Sequence, residues 1–293
     1  MRKMRKKSNS KKIHISYKYI IGFFITFLIC NFFIEKIAVK NQGKNNSQVQ
    51  NVRFNQAQSY KYNIETKELS KITIKNNFAN LSVKERKRKF INDLFPIVRD
   101  ANQNIIEKRH ILFEIEKKIK ANNLNVLEAA ILKKLFNEYK VKNNDLAELK
   151  KRIDIIPISL AIAQAAIESG WGTSRFAQEG NAYFGQKVVG IKANGIKPND
   201  SENPLIKVRI FENLNDSVDA YLNNLNTHFA YKNFRKSRNE LRYFGKTLEG
   251  IILVNQLNKY YELGDEYINN VQEIIRKNNL DKFDYIEYRS AQR

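Results

Sequence analysis

Glu168 is the residue in this sequence best placed to do chemistry. It stands near the end of Ile158-Ser159-Leu160-Ala161-Ile162-Ala163-Gln164-Ala165-Ala166-Ile167-Glu168-Ser169, a run that is apolar or small almost throughout. A helix apolar nearly all round is a buried helix. Gly170 follows at once and supplies the left-handed residue at which helices stop. Glu168 is thus expected in the last turn of a buried helix, where apolar surroundings and the helix C-terminus both disfavour a carboxylate. Both raise the pKa. A glutamic acid that keeps its proton near neutral pH can protonate a leaving oxygen, the step that glycoside cleavage requires. The competing reading is a buried Glu satisfied by a nearby Arg or a backbone donor. Beside it, Gly170-Trp171-Gly172 sets the only Trp of the chain between two flexible positions. Trp171 either stacks on a sugar ring or closes the core.

The elements that must position this acid read as helices. Asp154-Ile155-Ile156-Pro157 opens the Glu168 helix, with Pro157 expected in the first turn, where its missing N–H costs nothing. Upstream, helical patterns begin near Val83. Phe90, Ile91, Leu94, Phe95 and Val98 share one face, and Pro96 is expected to kink or break the helix. A second segment runs from Ala101 to about Ala121, and a third from Asn125 to Tyr139. Downstream, Asp216 or Ser217 is expected to cap a helix whose face carries Val218, Tyr221, Leu222, Leu225 and Phe229. These stripes are core faces and carry no chemistry of their own.

The stretch from Ile162 to Ala177 resembles the signature of the bacterial glucosaminidases of glycoside hydrolase family 73. Asn181-Ala182-Tyr183-Phe184-Gly185 is similar to the family's Asn-x-x-Phe-Gly turn. Asp216-Ser217-Val218, Asn224-Leu225-Asn226-Thr227-His228 and Ala230-Tyr231 follow in the order of its Bax-like branch. The likeness runs from about Val83 to Phe283. It implies a mainly α, lysozyme-like domain with a small β-hairpin beside a cleft. It also implies cleavage of the β-1,4 bond after N-acetylglucosamine in peptidoglycan. Carried onto this chain, Glu168 matches the general acid and Tyr260 the cleft tyrosine. Asn181, Phe184 and Gly185 match positions that shape the substrate site. For Tyr260 the alternative is a core tyrosine, and for Phe184 and Gly185 a tight turn with a buried aromatic. His228 reads as structural.

Hydrolysis by two carboxylates needs a second acid roughly 5–9.5 Å from the first. The family places it on the hairpin, here within Lys187 to Phe211, with Lys207 to Phe211 as the returning strand. The branch often has a Glu where this sequence has Lys207. The acids near by are Asp200, Glu202 and Glu212, each equally readable as a solvated charge. The substrate's 2-acetamido group could act instead. Alternatively, the chain is a weakly active or inactive glycan-binding module. A lytic transglycosylase is disfavoured because no Gly-Leu-Met-Gln stretch follows the Glu.

Composition bounds the rest. The chain has 293 residues, with 52 Lys and Arg against 30 Asp and Glu, for a formal net charge of +22. The excess is spread along the chain with no nucleic-acid-binding motif, so it reads as a solvated surface, and one suited to the carboxylates of peptidoglycan. Cys30 is the only cysteine, which excludes an internal disulfide. His14, His110 and His228 lack metal-ligand spacing, and no cofactor or metal is expected. Arg2, Lys3, Arg5, Lys6, Lys7, Lys11 and Lys12 precede an apolar run from Tyr17 to Ile34 that is long enough to cross hydrocarbon. The basic flank keeps the N-terminus in the cytoplasm. A signal anchor is favoured over a cleaved signal peptide because no pair of small residues stands at cleavage spacing after Phe33. The expected organisation is a basic cytoplasmic tail (1–16), a transmembrane anchor (17–38), a flexible linker (39–82), a helical extension (83–152) and a catalytic domain (153–285). It would lie in the bacterial inner membrane with its C-terminal part in the periplasm and peptidoglycan glycan strands as its partner. Export argues against a nucleic-acid partner.

Overall fold

The computed structural model describes residues 78–199, 201–257 and 264–288. The expected anchor, most of the linker, Asp200 and Tyr260 lie outside them. All described residues belong to one compact unit, Lys67–Arg293. They are mainly helical with one small antiparallel sheet. Among them no helix is long and apolar enough to cross a membrane.

Helix α1 is Val83–Lys120. Ser82 and Glu85 cap it reciprocally, side chain to backbone in both directions. Pro96 lies inside it and does not break it. Proline forfeits one hydrogen bond to the preceding turn, but Leu94, Ile97 and Val98 around it are all buried. Their packing carries the helix through, and the two segments expected from sequence are one continuous helix. Residues 78–82, assigned to the linker on composition, are folded. Phe78 is buried, with its ring centroid 6.3 Å from that of Phe90.

Helix α2 (Val126–Glu138) and the short α3 (Leu146–Arg152) follow, capped by Asn125 and Asp145. Helix α4 is Ile158–Ser169, buried from Ile158 to Ala166. Pro157 stands at its N-cap rather than within its first turn, and has no side chain that can cap. That role falls to Asp284, whose carboxylate accepts from the backbone N–H of Ser159 at 2.9 Å and of Gly250 at 2.8 Å. At the other end Gly170 takes φ 57° and its N–H returns to Ala166.

Helix α5 (Arg175–Gly180) leads into strands β1 (Lys187–Val189), β2 (Gly195–Ile196) and β3 (Ile206–Arg209). The sheet has three strands in the order β1-β3-β2, where a two-stranded hairpin was expected. Strand β3 pairs antiparallel on both edges, with Val208 opposite Lys187 and Ile196. Two residues of β2 are too few to show an alternating pattern.

Helix α6 (Leu214–Thr227) is capped by Asn213, whose side chain accepts from Asp216 N at 2.9 Å. Asp216 and Ser217, expected as caps, lie inside it. Val218, Tyr221, Leu222 and Leu225 are buried as their spacing requires, but the helix ends at Thr227 and leaves Phe229 82% exposed. Helix α7 (Lys232–Tyr243), the single turn α8 (Gly250–Leu253) and α9 (Asp265–Lys277) complete the unit. The segment before α4 is held by buried charge. Asp154 pairs with Arg242 at 2.9 Å and Arg109 at 3.7 Å. The fully buried Arg238 donates to the carbonyls of Lys151, Asp154 and Ile155.

Candidate active site

Glu168 sits half-buried in the last turn of α4. Burial pushes its pKa up, and a hydrogen bond from Tyr267 pulls part of the way back. The Tyr267 hydroxyl donates to Glu168 Oε1 at 3.2 Å. No cationic side chain pairs with Glu168 among the described residues, so the reading in which an Arg neutralises it finds no partner there. The physical result is a carboxyl that favours its neutral form more than a solvated Glu does.

Tyr267 lies in the first turn of α9 and is itself held. Gln164 Nε2 donates to its hydroxyl oxygen at 2.8 Å, and Tyr221 of α6 donates to Gln164 Oε1 at 2.6 Å. Burial and the nearby Glu168 keep the Tyr267 phenol far above its ordinary pKa, so it stays protonated. Tyr231 is also near enough for Glu168 to act on it, and burial pushes its hydroxyl up to about 12.

The turn after α5 brings a second element to the acid. Gly185 has φ 60°, and a Cβ placed there would lie 3.2 Å from Glu168 Oε2. Two aromatic stacks hold this approach. Tyr183 stacks on Phe90 of α1 at 5.7 Å, and Phe184 stacks on Tyr221 at 4.0 Å with the planes 10° apart. Phe184 is therefore buried beneath the site, with its ring against Tyr221. Asn181, at φ 50°, commits its side-chain amide to the carbonyls of Phe211 and Glu212, at 3.0 and 3.3 Å. It ties the turn to the segment that follows β3.

Trp171 is half-buried at φ 58°. Its ring meets Phe90 edge-on at 5.5 Å, and the Lys87 ammonium lies 4.9 Å from the ring centroid. The indole thus packs on α1, beside the acid but against the core. His228 is exposed, and its Nδ1 accepts from Ala230 N at 3.3 Å. Of the acids considered as a second carboxylate, Glu202 and Glu212 are exposed. Lys207 donates its ammonium to the carbonyls of Ile191 and Ala193, at 2.9 and 3.1 Å, stapling the β1–β2 loop. Among the described residues no grouping of three or more His, Cys, Asp or Glu could hold a metal ion.

Residues 143–280 match the family model of the mannosyl-glycoprotein endo-beta-N-acetylglucosaminidases. They are a glucosaminidase domain. Among curated proteins the chain is similar to Protein bax of Escherichia coli (strain K12), at 33% identity over 190 residues. The similarity takes in 63% of this chain and 66% of that protein, just short of two thirds of its length. No solved structure matches. The glucosaminidase domain contains Glu168, Gln164, Tyr221, Gly185 and Tyr267. Phe90, which supports the site from α1, and Asp284, which caps α4, fall outside the matched region.

Sequence reasoning missed Tyr267, Gln164 and Tyr221. Gln164 carried a readable signal, since it is a polar residue in an otherwise apolar helix and lies four positions before Glu168, on the same face. Tyr267 and Tyr221 carried none, because their spacing is that of ordinary core aromatics.

Proposed function

We propose that the chain hydrolyses the β-1,4 bond after N-acetylglucosamine in peptidoglycan, with Glu168 as general acid on a lysozyme-like fold. One observation carries the reading. Glu168 is biased toward its neutral form by burial, has no cationic partner among the described residues, and presents Oε2 to a glycine that cannot cover it. In the first step Glu168 gives its proton to the glycosidic oxygen as the C1–O bond breaks. The substrate's 2-acetamido oxygen bonds to C1 in its place, forming a cyclic intermediate. Glu168, now a carboxylate, takes a proton from water as the water opens that ring. The acetamido role is supported by Lys207, which occupies the strand position where the branch often has a Glu, and by the exposure of Glu202 and Glu212.

The test is muropeptide release from purified cell wall. A general acid contributes about 10²- to 10⁴-fold, so Glu168→Gln should lose that much activity. Because the substitution removes a carboxyl that burial disfavours ionising, the variant should melt no lower than wild type at neutral pH. In the same assay, substrates bearing a trifluoroacetamido group should be cut more slowly, since fluorine weakens the acetamido nucleophile. Equal rates would move the role to a protein carboxylate. Glycan binding without release from any wall substrate would support the binding-module reading and sink the hydrolase.

A further inference from the structure

Tyr221, Gln164 and Tyr267 form a chain of hydrogen bonds that ends on the acid, and the chain has a direction. Gln164 is fully buried. The 2.6 Å separation from Tyr221 Oη to Gln164 Oε1 suits O–H···O, and the 2.8 Å separation from Gln164 Nε2 to Tyr267 Oη suits N–H···O. With that orientation the amide gives a proton to the oxygen of Tyr267, and Tyr267 turns its own proton to Glu168 Oε1. The two oxygens of Glu168 are then no longer equivalent. Oε1 is the accepting oxygen, so the proton of the neutral acid belongs on Oε2, the oxygen beside Gly185.

We propose that Gln164 and Tyr221 are positioning residues which, through Tyr267, fix the proton of Glu168 on Oε2, the oxygen that faces Gly185. This rests on Glu168 being the general acid. If the amide were turned over, every bond would reverse. Gln164 would give to Tyr221 and accept from Tyr267, and Tyr267 would accept from a proton on Oε1, turned away from Gly185. The 2.6 Å separation at the Tyr221 end opposes that reversal, because it is shorter than N–H···O bonds run, and stacking on Phe184 holds the Tyr221 ring in place.

The relay is tested without relying on turnover. Full-length protein labelled with ¹³C at the Glu side-chain carboxyls is titrated by NMR, and the Glu168 signal is assigned by its loss in Glu168→Gln. A donor on Oε1 favours the ionised form, so Tyr267→Phe should raise the Glu168 midpoint by about one pH unit. Tyr221→Phe frees the amide to turn and should raise the midpoint by about half a unit. Placing 3-fluorotyrosine at position 221 keeps the ring and hydroxyl but makes a stronger donor, and should shift the midpoint down. In wall digestion, Tyr221→Phe should lower kcat roughly tenfold with KM kept, a loss of the size of one hydrogen bond. The alkaline limb of its kcat profile should move up with the NMR midpoint. A Glu168 midpoint unmoved by both changes at position 221 overturns the relay, and the fluorotyrosine protein decides the matter if Tyr221→Phe does not fold. A wild-type chain that releases no muropeptides would remove the hydrolase reading, while the titration would still decide the relay.

Discussion

Gly185→Ala separates two costs that the structure places on one residue. At φ 60° an alanine must adopt the left-handed region, which costs an L-residue roughly 1–2 kcal/mol. For a domain of this size each kcal/mol lowers Tm by about 2–4 °C, so the variant should melt about 2–8 °C below wild type. The second cost is chemical. The new Cβ would lie 3.2 Å from Glu168 Oε2, closer than ordinary van der Waals contact, so the carboxyl has to give way by a few tenths of an ångström. The methyl would also stand beside the oxygen proposed to carry the proton. Misplacing a reacting group by about 1 Å costs on the order of 10²-fold, and this smaller shift with added shielding should cost roughly 10- to 100-fold. Gly245→Ala is the control. Gly245 has φ 64°, and a Cβ there meets no described atom within 4 Å. It should show the same fall in Tm and wild-type activity. Calorimetry and muropeptide release below both melting temperatures give the two readouts. A Gly185→Ala protein with wild-type activity, or a Gly245→Ala protein equally impaired, would refute the direct role of Gly185 at the acid.

The buried charges before α4 yield a stability prediction with a defined pH window. Burial pushes the Asp154 carboxyl up, but Arg238, Arg109 and Arg242 together outweigh it and hold the pKa below its ordinary value. Its stabilisation is therefore fully present above the unfolded pKa of about 3.9 and is lost as pH falls through the lower folded value. Asp154→Ala should cost roughly 3–5 kcal/mol at pH 7, because it strands buried arginines, and the gap to wild type should narrow below about pH 4. Melting curves from pH 3 to 8 decide this, and a constant gap across that range would count against it. Residues 143–280 expressed alone lose Phe90 and Asp284 and should show no cooperative melting. Residues 78–288 should melt in one transition, and equal cooperativity in the two would contradict the support assigned to α1.

What was legible in the sequence was local. The Glu168 helix could be read because its apolar run and its Gly170 stop lie within one short stretch, and burial raises the acid's pKa as that reading required. The break considered at Pro96 does not occur, because propensity is weaker than the packing of Leu94, Ile97 and Val98. Asn213 was passed over as a cap because Asp216 and Ser217, better motif residues, stand close behind it. The cap on α4 was invisible for another reason. It comes from Asp284, 125 residues downstream of the Ser159 it satisfies. Tyr267 was hidden in the same way, since a core tyrosine and a tyrosine bonded to an acid look alike until the chain is folded.

These long-range contacts explain why a domain with so small a polar site needs so much scaffold. The proposed general acid would have to be held within about half an ångström of its working position, and Glu168 lies at the end of its helix, where fraying would be worst. Helix α4 is capped in trans by Asp284 at its start and closed by Gly170 at its end. Phe90 of α1 touches both Trp171, just after the acid, and Tyr183, just before the glycine that approaches it. One aromatic ring thus supports both loops that meet at Glu168. Phe184 braces the turn that carries Gly185 through Tyr221, which is also the first donor of the relay. The packing that places Gly185 against Oε2 and the hydrogen bonds that occupy Oε1 therefore converge on Tyr221. A disturbance at that residue should change the acid's position and its proton together.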